Sequence, residues 1–142
     1  MAVFDALHIS SSGLSLERLK LDTFSTNIAN VNTTRTEEGG PYQRKSIVFE
    51  EALKSSSSQF NLNNQKSFGV RTTEIATDET VVMTYDPSHP DANAEGYVAS
   101  SNVNMADEMV NMMNTIRAYE ANATALEAGK DMLKQALLIS AK

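Results

Sequence analysis

The chain has 142 residues, with 18 Asp and Glu against 12 Lys and Arg, a formal charge of −6 and no Cys. One domain's worth of chain with so few basic residues argues against non-specific nucleic-acid binding, and the missing Cys excludes disulfides, thiolate metal sites and Cys nucleophiles. Two histidines, His8 and His89, do not make a multi-His metal site without carboxylate help, and no run approaches the ~18 apolar residues of a membrane span.

The first eight residues, Met1 to His8, have no basic segment and no apolar core, and Asp5 interrupts the first apolar turn. A cleaved secretory signal is therefore not expected. The simplest location is the cytoplasm, with export by a route that reads no cleaved signal left open. From Val3 the apolar residues follow a four-three rhythm through Leu7, Ser10, Leu14, Glu17, Leu21, Phe24, Ile28 and Val31. Leu7, Leu14, Leu21 and Ile28 form an unbroken seven-residue repeat, the mark of a helix with one apolar stripe. Ser10-Ser11-Ser12-Gly13 is a weak point, so the spacing predicts a kink or a start there and a firm helix over about 14–31. Asn27, Asn30 and Asn32 alternate with Ile28, Ala29 and Val31 at its end. These amides read either as a plain helix terminus or as side chains packed within or between subunits.

The middle of the chain reads as strands and turns. Gly39-Gly40-Pro41 is a turn signal, and Tyr42 to Phe49 reads as a strand. Residues 54–67, rich in Ser and Asn, read as a flexible loop. Phe68 to Glu74 and Val81 to Tyr85 read as short strands, Asp86 to Asn93 as a Pro-rich turn, and Gly96-Tyr97-Val98 as the start of another extended piece. This central β region, over 35–103, has few large apolar residues and a thin core of its own.

The last segment has the strongest periodicity. Met105, Met109, Met112, Ile116, Tyr119, Ala123, Leu126, Lys130, Leu133 and Leu137 are spaced by four and three, a heptad seam broken only by Lys130. Asn104 is a good N-cap, with Asp107 three residues on as its capping-box partner. Asp107 and Glu108 suit the positive end of the helix dipole. A helix over 105–140 is about 50 Å long, more than a small domain's diameter. It must project or pack against another long helix. The expected architecture is α+β: two long terminal helices, 1–34 and 105–142, packed as an antiparallel-type coiled coil with their apolar stripes facing, and a small β region between them.

No catalytic motif stands out among nucleophile elbows, phosphate loops, dinucleotide fingerprints or zinc helices. His89 beside Asp86 and Asp91 could suggest a metal or acid–base pair, but a solvated turn with Asx-type bonds explains it more simply. Glu37-Glu38 and Asp78-Glu79 read as solvated loop charges. Arg35, Arg44 and Lys45 read either as a strand edge in solvent or as a patch for an acidic partner. Met105, Met109, Met112 and Met113, at heptad spacing, read as core or as a subunit-facing seam.

The run Asn27-Ile28-Ala29-Asn30-Val31-Asn32-Thr33 resembles the N-terminal signature of the bacterial flagellar rod, hook and related axial proteins. Thr34 to Lys45, with its Gly-Gly-Pro-Tyr, and Tyr85 to Val98, with its His-Pro-Asp-Ala, resemble the proximal-rod members in particular. Glu108 to Asn122 and Lys130 to Leu133 resemble the family's terminal helix. The resemblance implies a structural subunit of the flagellar basal body, in the cell envelope or periplasm, with no enzymatic activity and no cofactor. Its implied partners are copies of itself, other rod proteins and the flagellar type III export apparatus, with no nucleic acid and no small-molecule substrate. Terminal helices would line an inner tube, and heterologous contacts that do not close would build a helical filament. The subunit-interface candidates are Leu7, Leu14, Leu21, Phe24, Asn27, Ile28, Asn30 and Asn32 at one end. At the other they are Met109, Met112, Ile116, Tyr119, Leu126, Leu133 and Leu137. Two other readings compete: a cytoplasmic helical-hairpin adaptor that holds one partner helix, and a hydrolase using His89 with Asp86 or Asp91.

Overall fold

A computed structural model of the chain describes residues 3–55 and 65–140. In chain order it has α1 (Val3–Ala29), β1 (Lys45–Ser55), β2 (Gln65–Thr77), β3 (Val82–Tyr85), β4 (Tyr97–Ser100) and α2 (Met105–Ser140). The α+β architecture is the expected one, and α2 has the bounds its heptads and cap predict. Strands β1 and β2 pair as one two-stranded sheet, and β3 and β4 as another. Both β1 and β2 run further than predicted, into both ends of the segment read as a loop over 54–67. Residues 56–64 of that segment lie outside the described residues.

The described residues form two compact units. Unit one takes those of Met1–Leu19, Val48–Glu74 and Thr115–Lys142, and unit two takes Lys20–Ile47 and Ile75–Asn114.

Unit one is built around close crossings. The helix does not start at Ser10-Ser11-Ser12-Gly13; α1 begins at Val3 and runs through this segment. Ser12 Oγ donates to the Ile9 carbonyl at 2.7 Å, so its hydroxyl is satisfied on the helix rather than competing with it. The small side chains instead admit neighbours. Gly69 of β2, at φ +108°, has no room for a Cβ, which would overlap the Ser12 side chain. Val70 N donates to Ser12 Oγ at 3.2 Å beside it. A Cβ on Gly13 would lie 2.9 Å from Asn122 Nδ2, and one on Gly129 2.9 Å from Leu7 Cδ2. Leu7 therefore faces Gly129 and Gly13 faces Asn122, so α1 and α2 run antiparallel in this unit.

Unit two carries the β3–β4 sheet, antiparallel with Val82 opposite Ser100, Met83 opposite Ala99, Thr84 opposite Val98 and Tyr85 opposite Tyr97. Val98, Val103, Tyr42 and Asn27 are buried in it. The Pro-rich turn is the solvated Asx turn expected of it. Asp86 Oδ1 accepts from Ser88 Oγ at 2.6 Å and Ser88 N at 3.0 Å, while His89 Nδ1 accepts from Asp91 N at 3.1 Å. The Ser88 bonds, side chain first, hold the Asp86 carboxyl below the usual range. Thr80 does the same for Asp78. The strand predicted from Tyr42 starts at Lys45, because the Tyr42 N–H is already spent on the Thr33 carbonyl at 3.0 Å.

Candidate assembly interface

Two features of the terminal helices bear on assembly: what holds α1 to α2 inside the chain, and what the helices leave uncovered.

The first is a buried polar node in unit two. The end of α1 has no basic residue to meet its free carbonyls. Side-chain amides do this instead: Asn30 Nδ2 donates to the Thr26 carbonyl at 2.9 Å, and Thr33 Oγ1 donates to Asn30 Oδ1 at 3.2 Å. One turn earlier, Asn27 is fully buried, 0% exposed. Its Nδ2 donates to the Lys45 carbonyl at 2.8 Å and to Glu108 Oε2 at 2.9 Å. Its Oδ1 accepts from Tyr42 Oη at 2.9 Å and Lys45 N at 3.0 Å. Both donors and both acceptor sites of the amide are used.

Glu108, in the first turn of α2, is also 0% exposed. Its second oxygen, Oε1, accepts from Arg44 Nε at 2.6 Å. Asn102 braces the arginine, accepting from Arg44 N at 2.8 Å and donating to the Asp78 carbonyl at 2.9 Å. Asn104 caps α2 as predicted, its Oδ1 accepting from Ala106 N at 3.0 Å. Burial first, and the Glu108 carboxylate second, push the Tyr42 phenol above its ordinary value. The node is a structural clamp with every buried side-chain N and O among the described residues satisfied.

Sequence reading found Asn27 as a residue of interest but missed its partners. Glu108 read as a dipole-complementing acid and Arg44 as a surface charge. They stand 64 positions apart, and no local pattern couples them. Of the other amides, Asn30 is half-buried in its local cap and Asn32 is exposed.

The second feature is the face α2 turns outward. The predicted seam does not wholly face α1. The covered stripe runs through Glu108, Thr115, Asn122 and Gly129, one residue behind each of Met109, Ile116, Ala123 and Lys130. One residue is about 100° of helix, so the apolar stripe is turned away from the covered one by more than a quarter turn. Met112, Leu126 and Leu133 sit half-buried at its edge. Met105, Met109, Met113, Ile116 and Tyr119 are 40–53% exposed, and Leu137 is exposed further along. The reason is steric. Glycine and amide positions let the helices approach closely, where large Met and Ile side chains would hold them apart. On α1, Leu7, Leu14, Leu21, Phe24 and Ile28 are all half-buried. Among the described residues, no His, Asp or Glu cluster could hold a metal and no helix is long and apolar enough to cross a membrane.

The comparisons with known proteins agree at both ends of the chain. A family described as "Flagella basal body rod protein" matches residues 7–35. One described as "Flagellar basal body rod FlgEFG protein C-terminal" matches residues 94–139. The flagellar basal-body rod protein FlgC of Borreliella burgdorferi is 40% identical over 98% of both chains. That of Bacillus subtilis is 40% identical over 98% of this chain and 99% of its own. That of Salmonella typhimurium is 29% identical over 98% of each. Such full-length likeness disfavours the adaptor reading and leaves the helical hairpin as one part of a larger assembly. With its two helices, its Asn-rich junction and its central strands all inside the matched length, the chain belongs to the FlgC family of flagellar basal-body rod proteins and is a structural subunit of that rod.

Proposed function

We propose that this subunit polymerises helically, with copies of itself and with the other rod proteins, through the stripes its terminal helices leave uncovered. The product is the proximal part of a stiff shaft that transmits torque across the cell envelope. The subunit travels there through the flagellar type III export apparatus without a cleaved signal peptide. The work is mechanical and requires no catalysed reaction, only many interlocked contacts.

One observation carries the reading. Met105, Met109 and Met113 of α2 in unit two, and Ile116 and Tyr119 in unit one, are exposed, while the contacts of α2 with α1 use Glu108 in unit two and Asn122 and Gly129 in unit one. Contiguous apolar surface of this kind marks an interaction site. Its burial is favourable at about 25 cal/mol per Å². Heterologous contacts between such stripes extend into helical filaments when the rotation between neighbours does not close a ring.

The test is the double substitution Met109→Asp with Ile116→Asp. Both side chains are exposed, so the monomer's helical circular dichroism should be unchanged. Each neighbour contact would then bury an unpaired carboxylate, and the protein should be absent from purified basal bodies of non-motile cells. A motile strain with normal incorporation of this variant would overturn the proposed interface.

A further inference from the structure

The β3–β4 sheet has a face and an edge that the terminal helices do not use. Thr84 and Val98 lie on one side, where Val98 is buried. Met83, Tyr85, Tyr97 and Ala99 lie on the other, because cross-strand partners share a face and neighbours alternate. On this outer side Met83 is 60% and Tyr85 65% exposed, and the Tyr85 ring meets Tyr97 edge-on at 5.3 Å. Among the described residues the sheet has two strands, and β3 pairs on one side only, with β4. Its sequence, Val-Met-Thr-Tyr, contains no charge and no proline of the kind that usually blunts such an edge.

Charge surrounds this face. Unit two holds ten Asp and Glu against Lys20, Arg35, Arg44 and Lys45, a formal −6, while unit one balances eight against eight. The whole net charge of the chain is therefore in unit two. Arg44 is paired with Glu108, and the Lys45 ammonium lies over the Tyr42 ring at 5.9 Å. Asp78 and Glu79 precede β3 and Asp86 follows it, so acids flank the strand at both ends. Glu37 and Glu38 sit at the corner of the turn closed by Thr36 N on the Gly40 carbonyl. They line a groove together with Lys45 and with Val81, the residue immediately before β3.

We propose that this face of unit two is a second docking surface. Its occupant is a protein other than this chain, one presenting an extended apolar segment with Lys or Arg at both ends. Charge complementarity selects that occupant. A second copy of unit two brings another −6, and unit one is neutral, so neither is attracted to an acidic rim. A strand laid on β3 gains main-chain hydrogen bonds at its open edge, and its cations meet Asp78, Glu79 and Asp86. The surface lies outside the helical stripes and rests on the rod reading only in that the complex is assembled there.

The experiment is photo-crosslinking in assembled basal bodies, with p-benzoylphenylalanine at Met83 of the full chain. Recovery of the labelled chain in basal bodies tests the rod reading by itself. Mass spectrometry then identifies the peptide joined to position 83. The expected peptide comes from a different protein and carries Lys or Arg on either side of an apolar stretch. Glu37→Lys with Glu38→Lys should lower the yield by about fivefold at unchanged incorporation, as loss of rim charge does. A crosslink to another copy of this chain, or to an acidic or uncharged segment, overturns the proposal. So does no crosslink from a fully incorporated chain, which would leave the acids as guards against edge-to-edge aggregation.

Discussion

In unit one, α1 meets α2 where side chains are missing, at Gly13 and Gly129. In unit two, it meets α2 through Asn27, an amide whose every hydrogen bond is used. On the α2 side both contacts use small or polar residues, Gly129 and Asn122 in one and Glu108 in the other, and the Met, Ile and Tyr side chains of α2 stay exposed. They fail differently, however. A glycine contact resists bulk and tolerates chemistry, whereas the buried node tolerates little change in charge or in donor count.

The largest expected effect is at the node. Asn27→Asp changes almost no volume, but it removes two donated bonds and sets a second carboxylate against Glu108. It should destabilise unit two by roughly 3–5 kcal/mol in urea unfolding of the monomer. A loss below about 1 kcal/mol would mean the node is not the clamp described.

Next is Gly69→Ala, which combines a left-handed backbone with overlap onto Ser12. About 2–3 kcal/mol is expected, read as faster amide exchange in β2. Ser12→Ala should rescue only part of it, because the backbone strain remains. Full rescue would assign the whole effect to overlap.

Tyr42→Phe removes one donor from Asn27 Oδ1, which keeps Lys45 N, and should cost about 1 kcal/mol. It also gives a pH signature. A phenol with a raised native pKa favours the protonated form in the folded state. Its contribution is complete below the ordinary value of ~10 and is lost as pH climbs through the raised native value. Unit two of the unsubstituted chain should therefore lose stability on the alkaline side through this group. In the Tyr42→Phe protein that portion of the alkaline loss should vanish, and stability curves that superimpose would show Tyr42 is not its source.

The smallest effects belong to the helical glycines. Gly13→Ala and Gly129→Ala each gain roughly 1 kcal/mol of helix propensity. Each crowds only the flexible end of Asn122 or Leu7. Net changes within about 1 kcal/mol are expected in thermal melts. Gly129→Val, with branched bulk and no such propensity gain, should separate the helices and lower stability clearly. Equal melting of the Ala and Val proteins would deny the close approach.

Much of this was legible from residue order. The α2 bounds follow from Asn104 and the heptads, the Asx turn at Asp86 from its Asp-Pro-Ser, and β3 from its β-forming run after Thr80. The helix start expected at Ser10 to Gly13 lies instead at Val3, because helix propensity is a weak prior, and a tertiary contact at Ser12 outweighs it. The seam was found but its direction was not. Periodicity reports that an apolar face exists, and it is silent on whether that face meets the same chain or another.

The sequence by itself determined the two amphipathic helices, the strand-rich middle, the acidic balance and the absence of thiol chemistry. Each of these is a property of local spacing or composition. Only the tertiary structure decided that Glu108 and Arg44 close on Asn27, that glycine and amide positions fill the helix contact, and that the large apolar stripe remains outside. Those outcomes depend on residues 64 and 81 positions apart meeting within hydrogen-bond distance. Only the packed chain satisfies that condition.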